Sequence, residues 1–233
     1  AQRGTSSTGL GATDGYYTVD RFNLDFGNTA GRLTMTQDSS APSGFANSMK
    51  LACTTADTSI AVNESLVVKH IIEGQNVQAF AKGTADAKPF AVSFYVKGNA
   101  SATYVCALYD ADNTRYIAKT FSVTTDWTRV EITFPADTTG AFDDDNAESL
   151  HLWIWLHAGS NFTSGTLATS WASYSNATTA AGGSSFFDST DRTFFITGVQ
   201  LEVGQNPTEF EHEPFDVTLR KCYRYFQKQS YIS

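Results

Sequence analysis

Seven consecutive residues, His151-Leu152-Trp153-Ile154-Trp155-Leu156-His157, hold the densest chemistry in the chain. In an extended strand successive side chains point to opposite faces, so His151, Trp153, Trp155 and His157 share one face and Leu152, Ile154 and Leu156 the other. The indoles offer broad apolar rings with an N–H handle, and the imidazoles can donate or accept hydrogen bonds. If the aliphatic face is the core, the aromatic face stands outside a sheet, suited to stacking on sugar rings or packing on a neighbouring subunit. The alternative is that the tryptophans fill the space between two sheets or lie under the long segment that follows.

Other chemistry is sparse. Asp143-Asp144-Asp145, with Asp137 nearby, offers hard oxygen donors, but a calcium loop needs alternating ligands, a central Gly and a terminal Glu, so the run reads as a solvated acidic turn. His70, His151, His157 and His212 have no H-E-x-x-H partner, and neither a G-x-S-x-G elbow nor a G-x-x-x-x-G-K-[ST] phosphate loop occurs. Cys53, Cys106 and Cys222 cannot all pair within one chain, and their spacing fits no zinc pattern, so reduced and mostly buried thiols are expected. No catalytic residue, metal ligand or cofactor is expected.

Composition narrows the classes further. A chain of 233 residues, 41% hydrophobic and 17% charged, can bury a full core as one domain. A net charge of -8 with no Lys/Arg run argues against nucleic acid. No apolar run approaches the roughly 20 residues of a spanning helix, and no secretory leader pattern is present, so a soluble protein with no membrane insertion is expected. Position 1 is Ala, which suits a processed or trimmed chain or a piece of a longer one.

The elements that must position these residues read as strands. Phe90, Val92, Phe94 and Val96 alternate with Ala91, Ser93 and Tyr95, and Val130, Ile132 and Phe134 alternate with Arg129, Glu131 and Thr133 before Pro135 ends the run. Further strands are predicted at 16–26, 32–37, 49–53, 104–109 and 115–123, while 66–80 is left between strand and helical turn. Turn residues separate them at 97–99, 110–113 and 124–126. Regular strands without long helical periodicity argue for a two-sheet antiparallel sandwich. Trp127 is expected to close its edge. The stretch 159–188, rich in Ser, Thr, Ala, Asn and Gly, reads as a long surface loop, and its aromatics Trp171 and Tyr174 become binding candidates. Near the end, Phe194 and Ile196 share a face, and a bulge at Gly198 brings Val199 and Leu201 back to it. A short helix follows, capped by Asp216, with Leu219, Cys222, Tyr223 and Phe226 in one stripe and Arg220, Lys221 and Arg224 outside.

Several runs in this order resemble a widespread family of bacteriophage virion proteins, chiefly tail-fibre and related appendage proteins. They are Gln2-Arg3-Gly4-Thr5-Ser6, Gly15-Tyr16-Tyr17, Val19-Asp20-Arg21-Phe22, Ser93 to Lys97, Trp127 to Val130, Ala158 to Phe162, and Ile196 to Glu202 with Cys222-Tyr223-Arg224-Tyr225. Tyr223 departs from the Gln often found at its place. The resemblance implies an all-β, antiparallel jelly-roll sandwich similar to carbohydrate-binding modules with a short C-terminal helix. It would be carried on a homo-oligomeric, often trimeric, fibre that assembles in the bacterial host cytoplasm and ends in the virion. Residues 1–205 would form the sandwich and 206–233 a turn and helix leading to a further domain or subunit. The expected partners are other virion proteins and a host-surface glycan. Trp153, Trp155, Trp171 and Tyr174 would stack on the sugar, with His151 and His157 as hydrogen-bond partners. The alternatives are a purely structural decoration or connector protein and the binding module of a glycan-degrading enzyme.

Overall fold

The computed structural model describes residues 2–227. Strands are numbered β1 to β12 in chain order and fall into two antiparallel six-stranded sheets. The first sheet runs β1 (Ser6–Leu10), β3 (Arg32–Asp38), β4 (Ser48–Thr55), β12 (Thr193–Val203), β6 (Phe90–Gly98) and β9 (Thr128–Phe134). The second runs β11 (Ala172–Ser173), β8 (Arg115–Val123), β7 (Ala102–Asp110), β10 (Glu148–Ala158), β5 (Ser65–Glu73) and β2 (Phe22–Gly27). Neighbours in space are mostly distant in sequence, so this is a jelly-roll sandwich and not a meander.

The alternating runs face the core as their period requires. Phe90, Val92, Phe94 and Val96 of β6 and Val130, Ile132 and Phe134 of β9 meet Leu108, Ile117, Leu152 and Ile154 of the second sheet in one buried cluster. The ambiguous stretch resolves into β5 and two 3₁₀ turns, Gly74–Asn76 and Gln78–Phe80. The first predicted strand is shorter than expected. Only Phe22–Gly27 joins the ladder, and Gly15 makes an isolated bridge to Leu24. Arg21 has φ 70, a left-handed turn that breaks the extended run.

The predicted bulge is present. In the β12–β6 register Thr197 faces Tyr95 and Gln200 faces Ser93, so β12 holds one residue too many between these pairs. Gly198 supplies the φ of 60, and Val199 and Leu201 pack on the same core as Phe194 and Ile196. β12 lies inside its sheet, between β4 and β6. Trp127 packs edge-on to Phe195, 6.1 Å away, on that sheet's outer face.

Two expectations about the C-terminal segment fare differently. The helix α2 spans Phe215–Tyr223. Asp216 does not cap it, because Pro214 occupies the N-cap position with no side-chain cap bond and Asp216 falls inside the first turn. There its charge still favours the N-terminal end of the helix dipole. The stripe residues Leu219, Cys222 and Phe226 are half-buried while Tyr223 is exposed, and Arg220, Lys221 and Arg224 are outside as expected. The segment is held to the sandwich by Arg224 on Glu73 at 2.7 Å and by the Arg3 guanidinium 3.8 Å above the Phe226 ring.

A Cβ at position 198 would lie 2.7 Å from Phe45 Cζ in a left-handed backbone. Gly198→Ala is therefore expected to lower stability by roughly 1–3 kcal/mol, read as a shifted urea midpoint with an unchanged m-value.

Candidate functional site

β10 is buried on both faces. Leu150, Leu152, Ile154 and Leu156 enter the main core, and the opposite face is no platform in solvent. Trp153 and Trp155 retain only 6% and 5% of their exposure, and His151 and His157 are also buried. The physical reason is the segment after β10. Expected as a surface loop, it folds back over the outer face of the second sheet as a lid built from α1 (Ser160–Thr163) and the 3₁₀ turn Asn176–Thr178, while β11 extends that sheet's edge and the turn Phe186–Asp188 sends Phe186 and Phe187 into the main core. Under the lid Val67, Val105, Ala107, Tyr116, Ala118, Trp153, Trp155 and Ala180 form a second apolar cluster, with Phe162, Leu167 and Tyr174 packed against it.

The lid is fastened by its backbone, which is why a Ser/Thr/Gly-rich composition suffices. Ala118 N–H donates to Ala168 C=O at 2.7 Å and Ser184 N–H to Thr103 C=O at 2.7 Å, while the bond from Ala180 N–H to Phe162 C=O at 2.9 Å ties the lid to itself. The buried Tyr116 hydroxyl donates to Thr179 C=O at 2.5 Å. Small residues let the lid backbone approach the sheet, and these bonds satisfy polar groups that burial would otherwise leave unpaired.

Both histidines of β10 are occupied within the protein. His151 Nδ1 accepts the Trp153 indole N–H at 3.2 Å, which leaves Nε2–H to donate to Glu148, also at 3.2 Å. His157 Nδ1 lies 2.8 Å from Ser185 Oγ, and its Nε2 lies 3.3 Å from Glu64. Burial holds the pKa of both imidazoles below the ordinary histidine value although a glutamate faces each. His151 has no nitrogen left for an external ligand in this arrangement.

The six predicted residues therefore do not form one surface. Trp153, Trp155, His151 and Tyr174 come together. Trp171 turns elsewhere, donating its indole N–H to Pro135 C=O at 2.8 Å and packing 5.6 Å from the Phe90 ring. His157 belongs to the end of the sandwich with Glu64 and Ser185. The acidic residues separate as well. Asp143, Asp144 and Asp145 are exposed, whereas Asp137 is buried and bound by Arg115 at 2.6 Å and Lys82 at 3.2 Å. Lys82 also reaches Asp110 at 2.5 Å, so two cations and two carboxylates close a balanced ionic network.

What remains open is a strip at the lid's edge centred on Tyr109, which the sequence reading passed over. Its half-buried ring lies parallel to Trp153, with centroids 4.6 Å apart and planes at 16°, and Tyr174 stands edge-on to it at 5.3 Å. Lys69 sits 5.1 Å above the Trp153 ring and pairs with Asp25. Burial raises both phenol pKa values, keeping the hydroxyls protonated. The available signal was alternation in β7, since Tyr109 pairs directly with His151 and so shares the face of Trp153.

Trp153→Ala should cost about 3–5 kcal/mol by opening the cluster under the lid, measured by denaturant unfolding. Acid should also weaken the fold through His70, whose pKa burial and then Arg21 lower to about 3. An unfolded histidine titrates near ~6.5, so between these values the unfolded chain binds more protons and stability falls as pH falls, by up to ~1.4 kcal/mol per unit for this group. Stability measured against pH should lose that part of its slope in His70→Asn.

No protein-family model matches the chain, and no curated protein matches it. Among solved structures it is similar to a family 30 carbohydrate-binding module at 12% identity and a TM-score of 0.43, covering 92% of this chain and 96% of that one. The module TmCBM61, solved with β-1,4-galactotriose, matches at 9% identity and a TM-score of 0.42 over 78% of this chain and 88% of its own. A family 11 module from Clostridium thermocellum, solved with a β-1,3-1,4-mixed-linked tetrasaccharide, matches at 13% identity and a TM-score of 0.39, with 86% and 96% covered.

Proposed function

We propose that the chain is a non-catalytic carbohydrate-binding module that meets a glycan with the Tyr109 and Tyr174 edge of its second sheet. The observation that supports this reading is the half-exposed Tyr109 ring, held parallel to the buried Trp153 indole and flanked by Tyr174. A rigid aromatic face suits the apolar C–H side of a sugar ring, and the two phenols, Lys69 and Asp25 offer donors and acceptors for its hydroxyls. In this reading Trp153 and Trp155 back the binding surface from below, in place of the direct stacking expected for them, and Trp171 has no part in it.

The setting we propose is a bacteriophage appendage whose target is a host-surface polysaccharide. The virion location, the trimeric assembly and the other virion proteins as partners rest on the ordered sequence runs from Gln2 to Tyr225. A second reading, a connector that packs on another subunit, is favoured by α2. Its Phe215 is 79% exposed, and Val217, Tyr223 and Tyr225 are exposed with it.

Isothermal titration against a panel of host and plant polysaccharides separates the two. Carbohydrate recognition predicts saturable binding that Tyr109→Ala with Tyr174→Ala weakens at least tenfold, about 1.4 kcal/mol, without loss of fold. Binding unchanged in that double variant would falsify the site. The connector reading predicts no saturable sugar binding, together with an oligomer that Phe215→Ser and Tyr223→Ser dissociate.

A further inference from the structure

A second cluster, away from the tyrosine edge, gathers residues that are far apart in sequence. Asp57 follows β4, Glu64 immediately precedes β5, His157 lies near the end of β10, and Ser185 belongs to the lid. Asp57, Glu64 and His157 are each more than nine-tenths buried, and one donor atom from each lies within 4.8 Å of the other two. Among the described residues neither carboxylate forms an ion pair with a lysine or arginine, and the only salt-bridge partner of Glu64 is His157. Arg32, close by in sequence to Thr29, gives its guanidinium to the carbonyls of Thr29 and Gly31. Two adjacent buried carboxylates with no cation cost several kcal/mol each unless they share a proton or bind an ion.

The His157–Glu64 distance suits an ion, and Asp57 and Glu64 lie close enough to hydrogen-bond to each other. His157 Nε2 and Glu64 Oε2 are 3.3 Å apart, longer than the ~2.7–2.9 Å of a charge-assisted hydrogen bond. Two ligands of a tetrahedral ion with bonds of about 2.0–2.2 Å lie about 3.3–3.6 Å apart. The remaining contacts are those of supported ligands. Asp57 Oδ2 accepts from Thr29 Oγ1 at 3.0 Å and from Ala30 N–H at 2.8 Å, which fixes the carboxylate plane. Ser185 Oγ stands 2.8 Å from His157 Nδ1, placed to accept its N–H and so leave the Nε2 lone pair free for the metal.

We propose that Asp57, Glu64 and His157 bind one Zn²⁺ ion, with water in the fourth position. An imidazole nitrogen with two carboxylate oxygens suits this borderline ion, whereas calcium takes oxygen ligands alone. The ion neutralises the buried charge and joins the β4–β5 connection to β10. Through Ser185 it also fixes the end of the lid, so the site is structural. Residues 58–63, which connect two of the ligands, are exposed and give a short route of entry.

The test uses the whole purified chain, stripped with EDTA, dialysed and titrated with Zn²⁺, and with Co²⁺ as a coloured probe. One Zn²⁺ per chain is expected by elemental analysis, with a Tm that EDTA lowers and Zn²⁺ restores. X-ray absorption should show an all-N/O shell containing a single imidazole. His157→Gln and Asp57→Asn should each lose at least ~100-fold in Zn²⁺ affinity, while His212→Gln retains it. A wild-type chain that takes up no Zn²⁺ and whose Tm ignores both EDTA and Zn²⁺ overturns the proposal in favour of a proton-sharing triad. So does a bound ion with no imidazole in its shell, which needs no variant to fold, or uptake unchanged in both ligand variants.

Discussion

Everything in this molecule is arranged around the requirement that β10 be covered on both sides. A strand reading His-Leu-Trp-Ile-Trp-Leu-His offers aliphatic side chains to one face and large aromatic ones to the other, and neither face is stable in water. The first sheet covers the aliphatic side. The 34 residues between β10 and β12 supply the cover for the other side, because they leave from the end of β10 and must return to β12. The lid is thus the third layer of a sandwich that would otherwise have two, and its small residues are what let its backbone lie close to the sheet.

That layering determines where polar chemistry can reside. The imidazoles of β10 stay neutral and bonded, one to an indole and one at the lid's end, because a buried unpaired cation would be far costlier. The Lys82, Arg115, Asp110 and Asp137 network sits at the turn of the hairpin formed by β7 and β8, at the His151 end of β10 and away from His157, where equal numbers of charges cancel. Beside that network the lid stops short of Tyr109, Lys69 and Asp25, and this uncovered margin, and not the tryptophan row, is the face used in the glycan contact we propose.

Strand positions with strict alternation were legible to within a residue or two, as in β6, β8 and β9, because alternation reports a one-sided core directly. The Gly198 bulge was legible for the same reason, since only an extra residue returns Val199 and Leu201 to the face of Phe194. The Asp216 cap was misread because Pro214 starts the helix two residues earlier. Residues 159–188 do lie at the surface, with the tryptophans under them as the alternative reading had it, but their attachment to the sheet was not legible because the anchors are backbone hydrogen bonds, which composition does not display. Tyr109 was missed because one tyrosine on a strand carries no signal until its cross-strand neighbours are known.

From the sequence alone followed the fold class, the two faces of each strand and the pairing of chemistry with a face: indoles and imidazoles on one side of β10, aliphatics on the other. These follow from local geometry, the two-residue repeat of a strand. Which face meets water did not follow, nor did the meeting of Asp57, Glu64 and His157, whose numbers span a hundred positions of chain. Those were decided by tertiary structure, because solvent exposure and proximity depend on what the rest of the chain lays over a strand, and no local repeat encodes a cover that arrives from elsewhere.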